Sequence, residues 1–270
     1  MQKGKLLLIG TGISDERGIS IAGLEALRAC DKIYAERYTN LVPEGTLARL
    51  EALCGKKIVV LSREQVEGEK ELLEAAKSGT VALVVAGDPM IATTHISLLL
   101  SAKKRGIETE VIHSSSVISS AIGESGLQAY KFGKMVTLAY WRDNYKPMSA
   151  YDVISDNLAR GLHTLLLLDI DEKLGPMKPS AAAEVLLSME QQGKKGIFTP
   201  ETKLVLLKGM GWRSPTKKYC AISALAAYDA KEGPAVLIVP AKLHFLEEES
   251  LATLVPARFS ACSAAPTQPR

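Results

Sequence analysis

Short runs of branched apolar residues, many of them stopped by glycine or another chain breaker, recur along the chain. Leu6-Leu7-Leu8-Ile9 ends at Gly10-Thr11-Gly12, and further runs cover 57–61, 81–86, 109–112, 135–139, 163–170, 203–207 and 235–239. Runs of roughly four to eight residues bounded in this way suit strands buried on both faces. The segments between them carry helical signals. Ser20 is placed to N-cap a helix striped by Ile21, Leu24 and Leu27, with Ile19 and Leu24 at the staple positions. Further helices are expected over 64–77, 93–104, 151–159, 179–191 and 223–228; Gly68 weakens the first turn of the 64–77 helix. Alternation of this kind predicts α/β architecture with largely parallel sheets. Two lobes are expected to meet near 107–116, giving lobes at 1–112 and 113–255. The Ala-, Ser- and Pro-rich stretch 256–270 is expected to be a flexible tail.

Composition narrows the functional classes. Hydrophobic residues make up 47% of the chain and aromatics only 5%, so the core rests on Leu, Ile, Val and Ala. A net charge of +3 is too small to argue for a nucleic-acid or membrane partner. Cys30, Cys54, Cys220 and Cys262 are scattered with no C-x-x-C pair, which suits a reducing compartment and argues against a zinc ribbon. No stretch reads as a signal peptide or a membrane span, and a cytoplasmic location is expected.

Three strand ends carry the polar and glycine-rich segments. Gly10-Thr11-Gly12-Ile13-Ser14-Asp15 lets the backbone turn and approach a ligand closely, but it is not a dinucleotide fingerprint, because Asp15 or Arg17 falls where the last glycine belongs. Gly87-Asp88-Pro89 closes the 81–86 strand, where ligands of open α/β sheets bind. Asp88 suits either a ribose or amino group or the capping of its own turn. His113-Ser114-Ser115-Ser116-Val117 offers hydroxyls and amides near a helix start, or a plain serine N-cap. The histidines His95, His113, His163 and His244 have no metal-site spacing and read as hydrogen-bonded loop or core residues. G-x-S-x-G and Walker A patterns are absent from the sequence.

Taken in order, these segments resemble the diphthine synthases, a family of tetrapyrrole-methylase fold. The resemblance rests on Gly10-x-Gly12, Asp15-Glu16-Arg17, Glu36-x-Tyr38-Thr39, Ser62-Arg63-Glu64, Gly87-Asp88-Pro89 and Ala92-Thr93-Thr94-His95. It continues through Tyr130-Lys131-Phe132-Gly133, Gly161-Leu162-His163-Thr164, Leu168-Asp169-Ile170, Ile238-Val239-Pro240 and Lys242-Leu243-His244, and so spans about residues 5 to 246. The compact stretch 169–179 is similar to archaeal members. The resemblance implies two α/β lobes with S-adenosylmethionine in the cleft between them, and a homodimer. By motif matching it implies cofactor contacts from Ile13, Asp88, Ile91, Ser116, Val117, Leu168, Lys208 and Ala235. Two positions depart from the pattern: Ala235 stands where relatives often have histidine, and Val117 where they usually have isoleucine.

The implied reaction is methylation of the 3-amino-3-carboxypropyl group on a histidine of translation elongation factor 2. Methyl transfer from a sulfonium asks the protein mainly to align the reactants and exclude water. An amine acceptor must be neutral to attack, whereas a carboxylate acceptor needs no deprotonation. The sequence names no catalytic base. Two other readings stand beside this one: a corrin or porphyrin methylase of the same fold, and a catalytically silent protein-binding module.

Overall fold

A computed structural model describes residues 4–254 apart from 37, 39, 40, 172 and 229–232. The tail expected at 256–270 lies outside the described residues. The first half of the chain alternates strands and helices: β1 (Lys5–Gly10), α1 (Ile21–Ala29), β2 (Lys32–Glu36), α2 (Thr46–Cys54), β3 (Ile58–Leu61), α3 (Arg63–Glu67), α4 (Lys70–Ala76), β4 (Thr80–Val85), α5 (Ile96–Lys104) and β5 (Glu108–Ile112). Its five strands form one parallel sheet in the order β3-β2-β4-β1-β5.

Successive side chains of a strand point to opposite faces, so each buried strand feeds two cores. Leu6 and Leu8 pack with Leu72, Leu73 and Leu98 of α4 and α5. Leu7 and Ile9 pack on the other face with Leu27 and Leu50 of α1 and α2. Full burial of each such side chain contributes about 1.5–3 kcal/mol. The crossover from β1 to β2 passes β4 on one face, and that from β4 to β5 passes β1 on the other. The strand order therefore reverses between β1 and β4, which opens a crevice at their carboxyl ends.

The second half contains α6 (Val117–Glu124), β6 (Val136–Leu138), α7 (Ser149–Ala159), β7 (Thr164–Leu168), β8 (Ile170–Asp171), β9 (Gly175–Pro176), α8 (Pro179–Gly193), β10 (Lys203–Lys208), β11 (Thr216–Ala221), α9 (Ile222–Ala226), β12 (Ala235–Val239) and α10 (Phe245–Thr253). Its main sheet runs β11-β10-β12-β7-β6. Here the expectation of largely parallel pairing fails: β6 and β7 are parallel, but β7–β12, β12–β10 and β10–β11 are antiparallel. β10 and β11 are joined by the short loop 209–215, which holds no crossover helix and so returns the chain antiparallel. α7, α8 and α9 cover one face, while α6 and α10 contribute Ala121 and Leu251 to the core on the other.

Several local expectations need revision. The helix expected over 64–77 is two helices. Ser62 and Gln65 form a reciprocal capping box on α3 (3.2 and 2.8 Å), Gly68 ends it, and Glu69 takes a left-handed φ of 59° before α4 begins. The helix expected from residue 93 starts at Ile96, because Ala92 has a φ of 55° and residues 91–95 form a loop. Ser20 does cap α1, accepting from Gly23 N at 3.0 Å.

Candidate cofactor cleft

The loops after β1 and β4 are joined by main-chain hydrogen bonds. Gly12 N donates to Gly87 O at 3.1 Å, and Gly87 N donates back to Gly12 O at 2.8 Å. This approach needs a residue without a side chain at Gly10, where a Cβ would lie 2.5 Å from Gly87 O. The loop after β5 joins the same cluster. Ser114 Oγ donates to Gly18 O at 3.0 Å, and Ser115 Oγ accepts from Ile13 N at 3.3 Å.

Asp88 organises this meeting point and is 7% exposed. Its Oδ1 accepts from Met90 N at 3.0 Å, which closes its own turn. Its Oδ2 accepts from His113 Nδ1 at 2.8 Å and from Ser114 N at 3.3 Å, which joins the β4 and β5 loops. Ser116 caps α6 by accepting from Ile118 N at 3.1 Å. Farther along the β4 loop, Thr93 Oγ1 and His95 Nδ1 both donate to Pro89 O, at 3.0 and 2.9 Å. That bond places the His95 proton on Nδ1.

The crevice opens into a cleft of about 470 Å³ between the two sheets. Six of the eight residues expected from motif matching line it: Asp88, Ile91, Ser116, Val117, Leu168 and Ala235. Ile13 and Lys208 do not. Ile13 abuts Gly211, where a Cβ would sit 3.0 Å from Ile13 Cγ1. Lys208 is buried and lines a neighbouring hollow of about 930 Å³, although its main chain pairs directly with Ala235. That larger hollow is ringed by the ion pairs Asp15–Arg17 (2.8 Å) and Glu16–Arg49 (2.7 Å), which satisfy one another. The smaller cleft lies at the strand ends where the sheet order reverses, and it is the candidate site.

Tyr38, Arg63, Glu67 and Asp169 also line the cleft and were not singled out as site residues from the sequence. Tyr38, Arg63 and Asp169 lie in the quoted motifs, and Glu67 lies one helical turn beyond one of them. Asp169 was legible in a further way, as a carboxylate within an apolar run. The lining fits S-adenosylmethionine. Its volume falls in the range of roughly 300–1,000 Å³ typical of small-ligand sites. Gly87, Ala92, Ser116 and Ala235 keep the walls thin, and the Tyr38 hydroxyl is buried with no hydrogen-bond partner among the described residues. Asp88, Glu67 and Asp169 outnumber Arg63 in the wall, which suits a sulfonium cation.

The chain belongs to the tetrapyrrole (corrin/porphyrin) methylases, whose family profile matches residues 5–214. It is an S-adenosylmethionine-dependent methyltransferase. Within that group it is a member of the diphthine synthase family, the one its motifs resemble. It is 42% identical over 247 residues to the diphthine synthase of Methanothermobacter thermautotrophicus, covering 91% of this chain and 94% of the relative. It is equally identical, over 250 residues, to that of Methanocaldococcus jannaschii, covering 91% and 97%. A crystal structure of diphthine synthase superposes with a TM-score of 0.83 at 34% identity, covering 93% of this chain and 96% of that one.

Proposed function

We propose that the chain methylates the amino group of 3-amino-3-carboxypropyl-histidine on translation elongation factor 2, in diphthamide biosynthesis. The observation that carries the reading is the convergence of the β1, β4 and β5 loops on Asp88 beside a cleft at the point of strand reversal. Membership of the diphthine synthases supports the choice of acceptor.

S-adenosylmethionine, when bound, supplies an activated methyl group. The chain's own residues do the rest by alignment. The Asp88 loop forms the first-lobe side of the cofactor site, and Ser116, Val117, Leu168 and Ala235 face it from the second lobe. Ile13 and Lys208 are proposed to contribute through the main chain, Lys208 where it pairs with Ala235. The proposed division into lobes 1–112 and 113–255 puts the cofactor between them.

The protein substrate docks at the rim of the cleft. The enzyme is proposed to act as a homodimer, which would cover Val59 and Val60 of edge strand β3, both about half exposed. A cytoplasmic location is proposed as well. It is supported by the free, buried thiols of Cys30 and Cys54, and no helix among the described residues is long and apolar enough to cross a membrane.

The test is transfer of a labelled methyl group from S-adenosylmethionine to elongation factor 2 carrying the modified histidine, read by peptide mass. A methylated peptide is expected. Bound cofactor with no transfer would overturn the acceptor.

A further inference from the structure

Three carboxylates line the cleft, and two of them already face a basic side chain. Asp88 uses both oxygens on Met90, His113 and Ser114. Glu67 pairs with Arg63 Nε at 2.8 Å. Asp169 differs from both. Its main chain is held on each side, with its N–H donating to Leu138 O at 3.2 Å and its carbonyl accepting from Met177 N at 2.8 Å. Its Oδ2 accepts from Tyr140 N at 3.0 Å. Its Oδ1 has no hydrogen-bond partner among the described residues. A carboxylate held rigidly by one oxygen, with the other unbonded in a ligand cleft, is built to receive a donor.

We propose that Asp169 receives the acceptor's amino group, holding its nitrogen with Oδ1 and stabilising the positive charge that develops there. The proposal rests on the reading of this cleft as the site of methyl transfer to an amine. The acceptor arrives as an ammonium, and one N–H bond breaks as its proton passes to Oδ1 and then to water. The nitrogen lone pair forms a bond to the methyl carbon, while the carbon–sulfur bond breaks and its electron pair stays on sulfur. Positive charge thereby moves from sulfur to nitrogen, and nothing is oxidised or reduced. A fixed carboxylate beside that nitrogen favours the charge where it arrives. The same residue accepts the next proton when a singly methylated amine is methylated again.

The neighbouring polar groups do not fill this role. The Tyr38 phenol is pushed up mainly by burial and stays neutral. The Arg63 guanidinium carries the wrong charge for an ammonium.

The test compares wild type with Asp169→Asn, which keeps an oxygen to accept from Tyr140 N. Binding is measured first, by anisotropy, with S-adenosylhomocysteine present and no turnover. Wild type should prefer elongation factor 2 bearing the free amine over its N-acetylated form by about tenfold, the worth of one hydrogen bond to a charged group. D169N should lose that preference and slow the transfer step by on the order of 100-fold. Its affinity for S-adenosylhomocysteine, measured by calorimetry, should stay within about twofold of wild type, which also shows that the fold is intact. Asp169→Glu should recover part of the amine preference. Three results would overturn the proposal. Retained amine preference in D169N would show that Asp169 only shapes its turn. A large loss of S-adenosylhomocysteine affinity would show that it holds the cofactor's own amino group instead. Failure of wild type to methylate the amine at all would remove the acceptor reading and this role together, and the wild-type control alone reveals it.

Discussion

The carboxylate of Asp88 and the ring of His113 meet at 2.8 Å, across the gap between the loops that follow β4 and β5. Asp88 is buried, while the His113 side chain is 68% exposed. The bond therefore joins a fixed inner anchor to an outer loop that carries Ser116 and Val117 to the cleft.

Asp88→Ala removes that link and the cap on Met90. It should weaken S-adenosylhomocysteine binding by about tenfold while the protein still folds, at a cost of about 1–3 kcal/mol. His113→Ala should cost less on both counts, since only one outer contact is lost. Isothermal calorimetry with urea unfolding checks the pair. Unchanged affinity for D88A would mean that the residue only shapes its turn.

Gly10 and Gly123 should respond oppositely to alanine. A Cβ on Gly10 would lie 2.5 Å from Gly87 O and 2.9 Å from Pro89 Cδ, so Gly10→Ala must push the two loops apart. A loss of about 1–3 kcal/mol is expected, with impaired cofactor binding. Gly123 sits in α6 with nothing within 4 Å of an added Cβ. Gly123→Ala should stabilise by about 0.5–1 kcal/mol through helix propensity. Thermal melts of the two variants separate the cases.

Stability should fall in acid in two stages set by one buried pair. Ala241 N donates to His163 Nδ1 at 2.9 Å, which leaves the ring proton on Nε2 to donate to Glu247 Oε1 at 3.0 Å. Burial holds the His163 pKa below 6.5, so the ring stays neutral in the fold and charges on unfolding; stability drops as pH falls below about 6.5. The Glu247 carboxylate is desolvated, yet Lys131, the Gln128 and His244 amides and His163 together hold its pKa down to about 2. Its contribution is full above its unfolded value of 4.5 and is lost as pH falls from there through about 2. Urea midpoints from pH 8 to pH 3 should trace both declines. Glu247→Gln should flatten the lower one and destabilise the protein at pH 7 by about 3–5 kcal/mol, because it leaves buried donors unpaired.

Ala235 lines the cleft with a methyl group that can make no hydrogen bond. Ala235→His should tighten S-adenosylhomocysteine binding by about three- to tenfold through one added hydrogen bond. Weaker binding in calorimetry would mean that the cleft has closed around the smaller residue.

Elements whose signals are local were legible from the residues. The β12 run matches its expected bounds, and the cap at Ser20 depends on neighbours within a single turn. β2 was missed because Lys32 and Glu36 flank only three apolar residues. α10 was missed because three consecutive glutamates hide a buried face that includes Glu247 itself. Among the candidate site residues, Asp88, Ile91, Ser116, Val117, Leu168 and Ala235 reached the cleft together. Ile13 and Lys208 stand outside its wall, since their side-chain directions depend on how the β10–β11 loop meets the first lobe.

The sequence by itself determined the α/β class, the glycine-ended loops and the family, because periodicity, breakers and caps act over a few residues. Only the tertiary structure decided that the β1, β4 and β5 loops share one crevice, that the second sheet is mainly antiparallel, and that Asp88 answers to His113 while Asp169 keeps an oxygen unbonded among the described residues. Those outcomes depend on the order in which crossovers lay the strands side by side. That order places residues tens of positions apart within hydrogen-bond reach, and no local pattern encodes it.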